Sequence, residues 1–227
     1  MAEPPIPFVS RGGLKLEAAL NHFALDVRGE CCADLGCNVG GFTDCLLTRG
    51  AAKVYAVDTG YGALAWKLRK DPRVVVRERT NALHADPVQL EPGFAGVALV
   101  VIDLGWTRQR HALPAAMRWL RAAAPLGVVS LIKPHYEVDR AELARSGERG
   151  VLPDELAQRV AQEVLEQAAS LGLEARGLIR SPIRGGGARG REGNSEYLAW
   201  LRPRGAASGA ASCAASGAAS GAEAQGA

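Results

Sequence analysis

Aromatic residues make up only 5% of this 227-residue chain, and no apolar run exceeds a handful of residues. The longest, such as Val97–Ile102, fall far short of the roughly 18 residues a membrane span needs. No basic-then-apolar leader opens the chain. The expectation is a soluble, unexported, cytoplasmic protein with no membrane partner. Paired C-x-x-C spacing is also missing. Of five cysteines, four bunch at Cys31, Cys32, Cys37 and Cys45, which reads as reduced, buried thiols and argues against a zinc site. Lysine is scarce as well: only Lys15, Lys53, Lys67, Lys70 and Lys133 stand among 27 basic residues. A sequence that defaults to arginine for charge keeps a lysine where the ammonium itself is wanted, and Lys133 ends the apolar run GVVSLIK.

Net charge is only +3, so composition by itself does not announce a nucleic-acid binder. The charge is uneven, however, with seven arginines between Arg176 and Arg204 against Glu192 and Glu196. The stretch SPIRGGGARGREGN sets Arg184, Arg189 and Arg191 in a glycine-rich loop, a composition suited to phosphate contacts and equally to a solvated loop. From Gly205 the chain repeats GAAS with no large apolar side chain, which predicts a disordered tail.

Between these limits, short β-rich runs alternate with helix-patterned segments. Strands are expected near Cys31–Leu35, Lys53–Asp58, Val74–Arg77, Val97–Asp103, Gly127–Lys133 and Glu196–Leu201. Helices are expected near Leu14–Phe23, Gly41–Arg49, Leu64–Arg69, Ala112–Ala124 and Asp154–Leu171. This βαβ repetition predicts one α/β domain on a mostly parallel sheet. A polar residue that closes an apolar strand lies at the carboxyl edge, where open α/β folds bind ligands. Asp34, Asp58, Asp103 and Lys133 would share that rim. Glu196 would join it if the last strand runs antiparallel.

The turn DLGCNVGG supplies Gly36, Gly40 and Gly41, with Asp58 about one βα unit later. Asn38 occupies the slot where a dinucleotide fold keeps its middle glycine, so NAD is disfavoured. A glycine turn without a phosphate cradle, plus a carboxylate for two ribose hydroxyls, suits S-adenosylmethionine.

Taken in order, SRGGLKLEAAL, DLGCNVGGFTDCLLTRGAAKVYAVDTGYGALAWKLRKDPRV, ERTNA, IKPHYEV and GNSEYL resemble the TlyA family of ribosomal RNA 2′-O-methyltransferases, relatives of FtsJ. The resemblance implies a class I methyltransferase Rossmann-like fold, a seven-stranded, mostly parallel sheet with an antiparallel last strand. It implies S-adenosylmethionine as cofactor and no metal. RNA is the implied partner, as ribosomal RNA or a ribosomal subunit. The family's catalytic set falls on Lys15, Asp103, Lys133 and Glu196, with Asp103 and Glu196 orienting Lys133. Asp34, Gly36, Gly40, Gly41 and Phe42 would line the methionine and ribose side of the cofactor, Asp58 the ribose hydroxyls, and Asn81 the adenine.

On this reading residues 1–8 are an N-terminal extension, 9–204 an FtsJ-like methyltransferase domain and 205–227 the disordered tail. The family's small N-terminal RNA-binding domain has no counterpart here, which favours as rivals a methyltransferase for a small molecule or protein, or a non-catalytic RNA- or cofactor-binding relative. Two departures bear on the site. Cys37-Asn38-Val39 replaces the usual Ala-Ser-Thr, and Leu104-Gly105-Trp106-Thr107 replaces Val-Ser-Phe-Ile.

Overall fold

A computed structural model of the chain describes residues 6–122, 124, 126–146, 150–186 and 193–205. The bulk of the tail, 206–227, and the arginines at 189 and 191 lie outside the described residues.

The elements run α1 (Gly12–His22), β1 (Cys31–Leu35), α2 (Gly41–Thr48), β2 (Lys53–Val57), α3 (Trp66–Arg69), β3 (Val74–Arg77), α4 (Pro87–Leu90), β4 (Leu99–Ile102) and α5 (Gln109–Met117). They continue β5 (Gly127–Ile132), α6 (Pro134–Glu137), α7 (Arg140–Ser146), α8 (Asp154–Ala168), β6 (Leu173–Arg180) and β7 (Tyr197–Pro203). The strands form one seven-stranded sheet in the order β3-β2-β1-β4-β5-β7-β6. β1 to β5 pair in parallel, and β7 runs antiparallel to both neighbours.

The central strands have no solvated face, so they read as near-continuous apolar runs rather than alternating ones. Leu99 and Val101 of β4 enter the core under α1, α2 and α3, with Leu16, Leu20, Leu46 and Leu68. Val100 and Ile102 enter the opposite core under α5 and α8, with Leu113, Trp119, Val164 and Leu165. Cys32, Cys37 and Cys45 are free and buried.

Three expectations need correction. α5 starts and stops earlier than its pattern suggests, because Val97 N–H donates to Trp119 O and Arg121 N–H to Val97 O, an extended bridge that ends the helix. Strand β6 was not expected. It is the sheet edge, with Leu173 its only buried residue, so its sequence LEARGLIR shows no alternation. The short helices α4, α6 and α7 also escaped the pattern, being too brief to show a period.

Candidate active site

Parallel register carries the four strand-end residues to one level. Leu35 pairs with Ile102, so Gly36 and Asp103 follow side by side, and a Cβ on Gly36 would stand 2.6 Å from Asp103 O. At φ +90° Gly36 turns the chain out of β1, and its N–H and that of Cys37 both donate to Val57 O. Ile132 pairs with Tyr197, which brings Lys133 and Glu196 to the same edge from opposite chain directions.

Lys15 reaches this edge through close packing. A Cβ on Gly41 would come within 2.2 Å of Ser10 Oγ and 2.9 Å of Gly13 N. Without side chains there, the start of α1 rests on the start of α2, and Lys15 is delivered over the rim.

Two lysine–carboxylate pairs result. Lys15 Nζ lies 2.5 Å from Glu196 Oε2, with 12% and 4% of the side chains exposed. Lys133 Nζ lies 2.6 Å from Asp103 Oδ1 and 3.5 Å from Leu104 O. Asp103 Oδ1 accepts no hydrogen bond, so this contact is an ion pair off the bonding direction. The sequence reading has Glu196 orienting Lys133, whereas the structure ties Glu196 to Lys15. Glu196 Oε1 has room only because Gly185 lacks a side chain, which would approach it to 2.7 Å.

Two hollows open beside these pairs and share Gly36, Asn38 and Asp103 as a wall. One, of about 240 Å³, is lined by Lys15, Asp34, Gly41, Phe42 and Arg184 among others. The other, of about 350 Å³, is lined by Asp58, Asn81, Ala82 and Trp106 among others. Gly40 lines neither. At φ +101° it caps α2, and its Cβ position is filled by Leu64 and Leu68, so its task is the turn and the packing of α3.

Asp34 is fully buried, and Thr43 N–H and Oγ1–H donate to its Oδ2 at 2.9 and 2.7 Å. Its Oδ1 has no partner among the described residues. Burial pushes this carboxyl up to about 7, the carboxylates of Asp103 and Asp58 add to the rise, and the Thr43 donors oppose it. Asp58 accepts from Asn38 N–H at 2.8 Å through Oδ2 and from Gly60 N–H at 2.7 Å through Oδ1. Each oxygen keeps a second lone pair for an incoming hydroxyl. Asn81 Oδ1 accepts from Leu83 N–H, which leaves its amide NH₂ free to donate.

Sequence reasoning passed over the aromatic wall. Trp106 is 86% exposed, at φ +59°, and stacks on Tyr136 with ring centroids 5.0 Å apart and 30° between planes. His135 lies against Tyr136 in turn, at 4.0 Å. Burial, then the charge of Lys133, holds His135 down at about 4, so the wall is uncharged at neutral pH. Of the three arginines of the glycine-rich loop, Arg184 lies among the described residues and lines the first hollow. Arg184 and Arg180 both donate to Asp154 Oδ2 at 2.7 Å, so both arginines are tied to the first residue of α8. No group of three or more metal-ligating side chains occurs among the described residues, and no described helix is long and apolar enough to cross a membrane.

Known proteins resemble the chain along nearly its whole described length. It is 44% identical over 196 residues to the 16S/23S rRNA (cytidine-2′-O)-methyltransferase TlyA of Mycobacterium tuberculosis, covering 86% of this chain and 68% of that protein. A solved structure from Streptococcus thermophilus, described as a hemolysin, superposes with a TM-score of 0.79 at 36% identity, over 90% of this chain and 70% of that one. A structure from Pyrococcus horikoshii, described as an RNA methyltransferase, shares the fold alone, with a TM-score of 0.58 at 15% identity over 86% of each chain. The sheet is that of the class I methyltransferases. Residues 8–203 match the model of the FtsJ-like methyltransferases, and with the TlyA likeness this makes the chain a member of that family and of its TlyA branch.

Proposed function

We propose that the protein is an S-adenosylmethionine-dependent RNA 2′-O-methyltransferase, that ribosomal RNA, free or in a ribosomal subunit, is its substrate, and that it works in the cytoplasm. The observation that carries this reading is the pair of lysine–carboxylate contacts, Lys15–Glu196 and Lys133–Asp103, with Lys15 lining the first hollow and Asp103 the wall that both hollows share.

The residues fit the cofactor. Asp34, Asp58 and Asp103 surround the hollows, and such an acidic lining repels a pyrophosphate while it attracts a cation. The two free lone pairs of Asp58 suit a ribose diol, Asn81 and Ala82 an adenine edge, and the unpartnered Oδ1 of Asp34 an ammonium. When bound, S-adenosylmethionine supplies an electrophilic methyl group on a cationic sulfur.

A ribose hydroxyl that accepts this methyl sheds its proton. Lys133 is the group to meet that oxygen, fixed in place by Asp103, and Lys15 adds positive potential for the developing charge, itself held by Glu196. Trp106, backed by Tyr136, offers a flat exposed face to a base at the mouth, as single-strand binders do. The substrate named for the Mycobacterium tuberculosis relative supports RNA over a small molecule.

The test replaces Lys133. Arginine keeps the charge but cannot become a neutral base, and alanine removes both. Single-turnover methyl transfer to ribosomal RNA from a strain lacking the modification should fall by about 10²–10⁴-fold for Lys133→Ala, with cofactor affinity intact. Partial recovery in Lys133→Arg identifies a fixed cation, and equal loss a general base. Transfer at the parent rate by Lys133→Ala would overturn the mechanism, and labelled product without a 2′-O-methyl nucleotide would overturn the reaction.

A further inference from the structure

With 12 aromatic residues in the chain, four each of Trp, Tyr and Phe, leaving them in solvent needs a reason. Tyr61 is 72% exposed and Trp66 68%. Both lie in the segment after β2, outside the linings of the two hollows. Each carries a cation on its face. Arg79 lies 4.2 Å from the Tyr61 ring centroid and Lys70 4.8 Å from that of Trp66.

The neighbouring carboxylates are already engaged. Glu78 pairs with Arg69, Asp71 with Arg73, and Asp44 with Lys67. Lys70 and Arg79 have no carboxylate partner among the described residues. A cation on its face holds an exposed ring only weakly, and two cations without a carboxylate add repulsion. Together they match what a single-stranded nucleic acid offers, a base face for the ring and a phosphate for the cation.

The segment is also built stiffly. Arg79 takes a left-handed φ of +53°, a conformation that persists in a non-glycine residue only where its surroundings impose it. Arg79 N–H donates to Gly60 O, Gly62 N–H to Glu78, and Ala65 N–H to Val39 O. This last bond ties the Trp66 helix to the glycine turn that walls the first hollow.

We infer that the Tyr61–Arg79 and Trp66–Lys70 pairs form a landing surface for the single-stranded RNA that flanks the target nucleotide, the rings stacking its bases and the cations meeting its phosphates. This inference rests on the RNA reading above and adds where the strand lies.

The experiment measures the affinity of a short unstructured single-stranded RNA for the full chain over a salt series, and methyl transfer to ribosomal RNA, in the parent and in five variants. Tyr61→Ala and Trp66→Ala should each weaken RNA binding about fivefold or more, and Trp66→Phe should restore most of the loss. Lys70→Gln and Arg79→Gln should each flatten the dependence of log K on log salt by about 0.7. Cofactor affinity should not change. If the parent binds and methylates RNA while Tyr61→Ala, Trp66→Ala, Lys70→Gln and Arg79→Gln all keep its affinity and slope, this surface is wrong and the RNA reading stands. A parent that neither binds nor methylates RNA would remove both. Cofactor affinity lost in step with RNA affinity would assign the pairs to the cofactor site and overturn the surface.

Discussion

Asp34 is a carboxylate with no exposed surface in the lining of the first hollow. Its ordinary value of 3.8 rises to about 7 on burial, with Asp103 and Asp58 adding to the shift. Between about pH 4 and 7 the folded state holds a proton that the unfolded chain has released. Stability from this group is therefore present below pH 4 and is lost as pH rises through 7. Asp34→Asn keeps the side chain neutral, and its oxygen can still accept from Thr43. The variant without cofactor should melt above the parent at pH 8, with the difference closing by pH 4, as followed by thermal unfolding. Its cofactor affinity should fall, because a neutral amide replaces the carboxylate oxygen Oδ1.

Asp34, Asp58, Asp103 and Lys133 were legible at this scale because each stands in or just after an apolar strand. Two features were not. Lys15 and Glu196 meet across 181 residues, a distance no local pattern encodes. The exposure of Trp106 depends on a left-handed backbone, which local sequence does not display.

Among the elements, α1 and α2 show how glycine places Lys15, a side chain proposed above to act on the substrate oxygen. Their contact has no room for a methyl group at Gly41, since Gly13 N is backbone and cannot step aside. Gly41→Ala should push α1 off the rim, lower stability by about 1–3 kcal/mol in urea unfolding, and slow methyl transfer. Because the slowing acts through Lys15, Gly41→Ala combined with Lys15→Ala should be no slower than Lys15→Ala alone. Additive losses would mean that the glycine acts elsewhere. Helix α8 was legible from its period, and Val160, Val164, Leu165 and Ala168 are buried as that period requires. Strand β6 was hidden for the opposite reason. With its outer edge unpaired among the described strands and only Leu173 buried, it bears charges where a central strand bears valines.

For the whole molecule, the sign of charge differs between cleft and surroundings. Formal charge sums to +3, yet Asp34, Asp58 and Asp103 gather where the two hollows meet. An excess this small adds little pull on a polyanion, whereas an acidic cleft favours a cationic ligand.

The strand order bears on time as well as space. β7 lies between β5 and β6, so β6 joins the sheet only through a strand that is synthesised after it. Glu196 immediately precedes that strand, while Lys15, Asp103 and Lys133 all come earlier in the chain. Until β7 inserts, β5 is an open edge and Lys15 has no carboxylate. Refolding should accordingly restore methyl transfer at the rate at which Trp200 of β7 recovers its native fluorescence, since its Nε1–H bonds Leu126 O beside β5. Activity that returned first would contradict this order. During synthesis the rim receives Glu196 only with the last of the described strands, and a nascent chain halted short of β7 should fail to methylate RNA.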